Sequence, residues 1–138
     1  MKNKKKIAIF FVSFLGIFLS VFSCYQIIQN VSIVHQFFFP KALATLDSER
    51  NLDEWNTVYF NGEDYLIFDS IFWDKLVTND ANSACEIFLR VKEKNSDVIL
   101  DELKIPIGTS LFLEGLDRNT QYIFEVKASQ EDVFINIS

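Results

Sequence analysis

The sequence predicts an all-β domain, a seven-stranded sandwich of two sheets, behind a single N-terminal transmembrane helix. Three observations lead to this fold class. An uncharged, apolar run fills residues 7–25, directly after a lysine-rich start. From residue 55 onward, short apolar runs alternate with Asn, Asp, Gly and Ser turns, which is the pattern of an all-β domain. With 138 residues, 49% of them hydrophobic, the chain has room for one small domain and an appendage, and it is too apolar for a disordered protein.

The first element is the transmembrane helix. A helix rises about 1.5 Å per residue, so about 20 residues cross the bilayer core, and the apolar run is long enough. Four of the first six residues are lysines, and no acidic residue precedes Asp47. The positive-inside rule therefore keeps this end cytoplasmic and places the C-terminal domain outside the membrane. The predicted anchor side chains include Ile7, Phe10, Phe14, Phe18 and Phe22.

Three kinds of N-terminal signal remain open. An uncleaved single-pass anchor is favoured, because the apolar run is longer than that of a secretory signal and no small-x-small cleavage site is evident. The second is a lipoprotein signal, since Val21-Phe22-Ser23-Cys24 resembles a lipoprotein processing box and departs from it at Phe22. Cys24 is then the lipidated residue. The third is a cleaved secretory signal. All three deliver the rest of the chain to the outer side of the cytoplasmic membrane.

A stalk is predicted to follow the membrane segment. Ile27, Val31 and Val34 have the spacing of one helix face, and Pro40 disfavours helix in the residue before it. His35 is the only histidine, and a single histidine on an apolar segment predicts a structural or surface role. The predicted organisation is a membrane anchor or signal segment at residues 1–28, a stalk or linker at residues 29–54 and the sandwich at residues 55–138.

The β region divides into seven predicted strands separated by turn signals. Side chains alternate between the two faces of a strand, so Ile87, Leu89 and Val91 share an apolar face. Asn, Asp, Gly and Ser between the runs supply turn geometry. This number of strands in a region of this length fits a two-sheet sandwich. The predicted strands are Thr57–Phe60, Tyr65–Trp73, Cys85–Glu93, Val98–Ile105, Ser110–Glu114, Gln121–Ala128 and Val133–Ile137.

The sixth strand carries a family resemblance. Gly115-Leu-Asp-Arg-Asn-Thr-Gln-Tyr122 resembles the E–F corner of a fibronectin type III domain, written Gly-Leu-x-Pro-x-Thr-x-Tyr, with Arg118 at the position of the proline. The resemblance implies that the tyrosine hydroxyl turns back to the main chain, as in the tyrosine corner of sandwich domains. It also implies binding rather than catalysis. The corner and core residues that it assigns are Trp73, Leu116, Tyr122 and Phe124.

Composition and motifs exclude several functions. The chain has no second histidine, no Cys-x-x-Cys pair and no glycine-rich phosphate loop, so we predict no enzyme activity, cofactor, metal or small-molecule substrate. Four of the 13 basic residues lie in the first six, which leaves nine against 19 acidic residues in the remainder, a net charge of −10. This balance argues against nucleic-acid binding and fits a cationic partner or simple solubility.

These observations predict a membrane-anchored extracytoplasmic protein-binding module. The lysine-rich start and the Phe- and Ile-rich span suggest a bacterial protein, part of a cell-envelope assembly, whose partners are the membrane and another envelope or surface protein. The alternative is a small surface lipoprotein with an immunity or exclusion role. The longest predicted connection, residues 74–84, is the first candidate for partner contact. The contact residues proposed in this loop are Val77, Asn79, Asp80 and Asn82.

Overall fold

The computed structural model describes residues 2–138, and of residues 2–4 and Ala8 it describes only the backbone. The chain divides into two compact units, Met1–Phe38 and Phe39–Ser138. Met1, which belongs to the predicted membrane segment, lies outside the described residues.

The first unit is helical. It consists of α1 (Lys2–Asn30) and α2 (Ser32–Phe38). Within α1, Lys5–Asn30 has a mean hydropathy of 2.5 and is long and apolar enough to cross a membrane by length and composition, a test that a signal sequence also passes. The unit stops being helical at Phe38, where the next residue precedes Pro40 and is disfavoured in helical geometry.

The second unit is built of antiparallel strands. Sheet 1 has the order β3-β1-β10-β5-β8, and sheet 2 has the order β2-β9-β6-β7, with β4 also paired to β9. The strands are β1 (Ala42–Thr45), β2 (Asn56–Thr57), β3 (Tyr59–Phe60), β4 (Leu66–Ile67), β5 (Leu76–Asn79), β6 (Ile87–Glu93), β7 (Val98–Ile105), β8 (Thr109–Phe112), β9 (Gln121–Ala128) and β10 (Ile135–Ile137).

Both sheets contribute to one hydrophobic core, an arrangement compatible with a β-sandwich. Burial alternates along β5 and β10 of sheet 1 and along β6 and β9 of sheet 2, so that one side of each sheet faces the core and the other faces solvent. Phe60 of sheet 1 meets Phe124 of sheet 2 edge to face, with ring centroids 5.5 Å apart. Each fully buried side chain of this size contributes about 1.5–3 kcal/mol to folding, so this shared core is the main stabilising element.

The number and position of strands differ from the sequence prediction in sheet 1. β1 lies in the segment predicted to be a stalk, and β5 lies in the segment predicted to be a loop. Both are four residues long, too short for alternation to show in the sequence, and both are held by pairing with β10. The predicted strand Tyr65–Trp73 is reduced to β4. The predicted linker is also packed against the sheet unit, since Arg50 Nη2 donates to the carbonyls of Gln130 and Glu131.

The strand order also departs from that of an immunoglobulin-type sandwich. In such domains the last strand lies beside the penultimate one, in the sheet of strands C and F. Here β10 joins sheet 1 between β1 and β5, and the position beside β9 is taken by the short strands β2 and β4. The chain therefore forms a two-sheet β unit whose strand order is not the one that the corner motif implies.

Candidate functional site

The outer face of sheet 2 is charged and largely satisfies itself. Cross-strand register places Arg90 opposite Glu125, and the carboxylate of Glu125 also accepts from Lys92 Nζ at 2.6 Å. Arg90 Nε donates to Asp101 at 2.9 Å. That hydrogen bond is the first cause that raises the pKa of Arg90 above its ordinary value, ahead of the charges of Asp101 and Glu125. These pairs leave few charges on this face open to a partner.

Aromatic rings on the same face are covered by cations. The guanidinium of Arg90 lies 4.0 Å from the ring centroid of Trp55, and Lys127 Nζ lies 5.1 Å from that ring. Lys127 also lies 5.3 Å from the ring of Phe88. Such cation–π contacts at a surface are worth about 0.5–1 kcal/mol each, and they occupy the ring faces that a ligand would use. We therefore assign this face to solubility and stability.

The outer face of sheet 1 is different, and we call it the uncharged face. Among the outward-facing strand residues of this sheet that the structure describes, none carries a charge. Register places Leu43 opposite Asn136, Asn136 opposite Thr78, and Thr78 opposite Ser110, so one row crosses four strands. The members of the uncharged face are Leu43, Thr45, Tyr59, Leu76, Thr78, Ser110, Phe112, Phe134 and Asn136.

An open depression of about 440 Å³ lies at one end of this face, and we call it the Leu43–Phe134 depression. Leu43 in β1 is 73% exposed, and Phe134, directly before the paired strand β10, is 54% exposed. Two large apolar side chains therefore face solvent close to each other. Exposed apolar groups that cluster at a concave site are typical of binding surfaces. The lining residues are Leu43, Asp80, Asn82, Phe134, Ile135 and Asn136.

The polar rim of the depression is fixed by hydrogen bonds. Asp80 Oδ1 accepts from the main-chain N of Asn82 at 2.9 Å and from its Nδ2 at 2.7 Å. The main-chain N of Asp80 donates to Phe134 O at 2.8 Å, and Phe134 N donates to Ser83 Oγ at 2.9 Å. The turn is thereby tied to the entry of β10. A surface that is already ordered loses less entropy when a partner docks.

Two of the four predicted loop contacts require correction. Val77 and Asn79 lie in β5 and are fully buried, so neither can touch a partner. Asn79 Nδ2 donates to the carbonyls of Cys85 and Ile105, each at 3.1 Å, which explains how a turn-type residue is accommodated in the core. Asp80 and Asn82 do reach the surface, in the turn that lines the depression.

The predicted corner residues are structural. Tyr122 is buried, and its hydroxyl oxygen accepts a hydrogen bond from the main-chain N of Asp117 at 2.6 Å. Leu116 and Phe124 are buried in the core. Trp73 lies outside the strands; it is half-buried and packs edge to face on Phe68, with centroids 5.4 Å apart. This corner stabilises the β unit and offers no open surface.

The predicted anchor side chains, Ile7, Phe10, Phe14, Phe18 and Phe22, are all exposed on α1. Cys24 is an exposed free thiol on the same helix, and Cys85 is a buried free thiol in the β unit. Over residues 2–138, no group of three or more His, Cys, Asp or Glu side chains is placed to hold a metal ion.

Comparisons with known proteins add no family to this picture: no family model, curated protein or solved structure matches the chain. The depression that sequence reasoning missed is lined by Leu43, which fell in the predicted stalk, and by Phe134. A sequence signal for Phe134 did exist. Ile135 and Ile137 share one face of the predicted last strand, and Phe134 lies on the opposite face. Since the isoleucines face the core, the ring of Phe134 faces outward.

Proposed function

We propose that this chain is a membrane-anchored extracytoplasmic module that binds another protein of a bacterial cell envelope through the Leu43–Phe134 depression. The observation that carries the proposal is the contrast between the two outer faces. On the outer face of sheet 2, charged side chains pair with each other and cations cover the aromatic rings, whereas sheet 1 leaves Leu43 and Phe134 exposed on a face whose strand residues are uncharged.

The chemistry of the depression defines the partner. The centres of protein interfaces are poor in charge and rich in aromatic residues, with polar groups at the rim. Leu43 and Phe134 match such a centre, and Asp80 and Asn82 match such a rim. The acidic balance of the chain beyond its first six residues favours a partner that is basic around the contact, which raises the association rate. We therefore propose a partner that inserts an apolar side chain and surrounds it with cations.

The membrane helix supplies the second part of the proposed mechanism. An anchor formed by α1, with the lysine-rich end cytoplasmic, holds the β unit on the outer side of the membrane. Tethering raises the effective concentration of the module for any envelope protein within reach.

The test compares two exposed aliphatic residues. Leu43 and Ile71 are both 73% exposed, but Ile71 lies outside the depression. Full-length protein carrying Leu43→Lys or Ile71→Lys is expressed in the cells that make it, crosslinked and purified from detergent-solubilised membranes. We expect Leu43→Lys to reduce the crosslinked envelope partner by about tenfold or more, because a charge in an interface centre costs about 1–3 kcal/mol. Ile71→Lys is expected to leave capture unchanged.

If both variants captured the partner as well as the unchanged protein does, the depression would have no part in binding. If both lost the partner equally, the cause would be a general effect of added positive charge on this acidic protein. Phe134→Lys gives an independent second test, because Phe134 also lines the depression.

The second candidate function is a small surface lipoprotein that protects its own cell, as immunity or exclusion proteins do. The observation that favours it is the exposed free thiol of Cys24 on α1, in a sequence that resembles a lipoprotein processing box. Acylation of Cys24 would support this candidate, and it is tested together with the anchor in the last prediction below.

A further inference from the structure

β8 forms one edge of sheet 1, and its outer side is unpaired within residues 2–138. The pairing pattern shows which main-chain groups face outward. The main-chain N–H and C=O groups of Leu76 both bond to Ser138, on the β10 side of β5. The main-chain groups of the residues on either side of Leu76 therefore point the opposite way, toward β8. Leu113 N donates to Lys75 O at 2.9 Å. Because antiparallel strands alternate in this way, Ser110 and Phe112 turn their N–H and C=O groups away from β5, toward solvent.

The β8 edge lacks the charged side chains and the irregular pairing that protect β7, the edge strand of sheet 2. β7, at the edge of sheet 2, carries Asp101, Glu102 and Lys104, and its pairing with β6 is interrupted by register shifts. Charges and bulges of this kind prevent edge-to-edge pairing. Residues 105–113, which include β8, carry no charged side chain, and β8 itself pairs with β5 over residues 109–112 without a register shift. β3, at the opposite edge of sheet 1, is only two residues long.

We propose that a second copy of this chain pairs with β8, antiparallel, about a two-fold axis that passes beside Leu111. In this register Ser110 of each copy lies opposite Phe112 of the other, and each pair exchanges two main-chain hydrogen bonds. Sheet 1 then continues from one copy into the next. Phe112, which is 56% exposed, gains a diagonal contact with Phe112 of the second copy, at a spacing that aromatic side chains bridge.

A second copy fits this edge for two reasons. A two-fold interface requires a surface that is complementary to itself, and the outward groups of Ser110 and Phe112 are complementary in the register described. The edge is also the place where two acidic copies can approach, because no charged side chain lies in residues 105–113, and the rest of the acidic surface is screened beyond about 8 Å at physiological salt. The pairing does not depend on the Leu43–Phe134 depression. Membrane anchoring, if it holds, promotes the pairing by concentrating the copies.

The experiment uses the full-length chain in detergent micelles, with native mass spectrometry over a dilution series. Ser110→Pro removes one outward N–H and no hydrogen bond to β5, and proline is tolerated at such edge positions. Ser110→Ala is the matched control, since it removes only the side-chain contact with Thr78 Oγ1, at 2.7 Å. We expect wild type and Ser110→Ala to dimerise equally. Ser110→Pro is expected to raise the dissociation constant by about tenfold, the loss of one or two net hydrogen bonds.

Phe112→Lys is a second variant. Because Phe112 is exposed, we expect this substitution to preserve the fold even if Ser110→Pro disrupts it. We expect it to weaken the dimer, whereas Phe134→Lys, at a residue of nearly equal exposure on the same face, is expected to leave the dimer intact. A chain that stays monomeric at every concentration overturns the proposal. So does a dimer that survives both Ser110→Pro and Phe112→Lys, since α1 would then hold it. Because Phe134→Lys tests partner capture and Ser110→Pro tests the dimer, the two proposals can fail separately.

Discussion

Asn79 is buried between the two sheets, where its Nδ2 donates to the main-chain carbonyls of Cys85 and Ile105. Cys85 lies two residues before β6, and Ile105 is the last residue of β7, so one amide joins β5 of sheet 1 to the segment that enters β6 and to β7 of sheet 2. A buried polar group of this kind is stabilising only while its partners are satisfied, and removing it leaves carbonyls without donors.

We predict that Asn79→Ala lowers the free energy of unfolding by about 2 kcal/mol, because two buried carbonyls lose their donor while the Oδ1 atom, which has no partner among the described residues, is removed with the amide. Urea unfolding of the purified protein measures the change. Asn136→Ala is the control, since Asn136 faces outward on the same sheet and is expected to cost under about 0.5 kcal/mol. A similar loss in both variants would contradict the role assigned to Asn79.

For single residues, the sequence predicts the kind of interaction that a side chain makes better than it predicts where that side chain lies in the fold. Asp80 and Asn82 were expected at a surface turn and lie in one, because Asp80 makes the local side-chain hydrogen bonds that favour turns. Asn79 is the same kind of residue one position earlier, yet it is buried. Its partners are main-chain carbonyls six and 26 residues away, beyond the reach of a turn pattern in the sequence.

Whether a strand can be predicted from the sequence depends on its length. β6, β7 and β9 each have seven or eight residues with clear alternation or strong β-forming composition, and the sequence predicts β7 and β9 with the bounds that the structure shows. β1 and β5 have four residues, and their alternation is indistinguishable from chance in a single sequence. They become strands because β10 pairs with both of them. Half of the candidate site therefore depends on a pairing between the two ends of the β unit.

β1 makes a testable contribution as an element. It lies between β3 and β10, so its removal deprives both neighbours of ladder hydrogen bonds and opens a new sheet edge. We predict that a fragment of residues 48–138 unfolds at a clearly lower urea concentration than a fragment of residues 39–138, or aggregates. A 39–138 fragment with Leu43→Thr, which keeps the strand and changes an exposed side chain, is expected to match the unchanged fragment. Equal midpoints for 39–138 and 48–138 would show that β1 is dispensable.

On the scale of the whole molecule, the chain combines an apolar helix with a β unit whose two outer faces differ in chemistry. On the charged face of sheet 2, ion pairs and cation–π contacts form between side chains of the unit itself. The uncharged face of sheet 1 carries the exposed side chains of Leu43, Phe112 and Phe134, and its edge at β8 carries unpaired main-chain groups. This division would allow one surface to bind a partner and one edge to bind a second copy without competition for the same residues.

The chemical state of Cys24 distinguishes the two proposed modes of membrane attachment. For an uncleaved anchor we predict that mass spectrometry of the membrane-bound protein finds residues 7–23 still joined to Cys24, and that a maleimide labels this free thiol after the protein is denatured in SDS, because its sulfur carries no lipid. Cys85 serves as the internal control, since it is a free thiol of the β unit and is labelled in SDS whatever the state of Cys24. An N-terminal, acylated Cys24 that no maleimide reaches would instead make the chain a lipoprotein. The lipid would then be the only tether, and the apolar helix would be a processed signal rather than part of the mature protein.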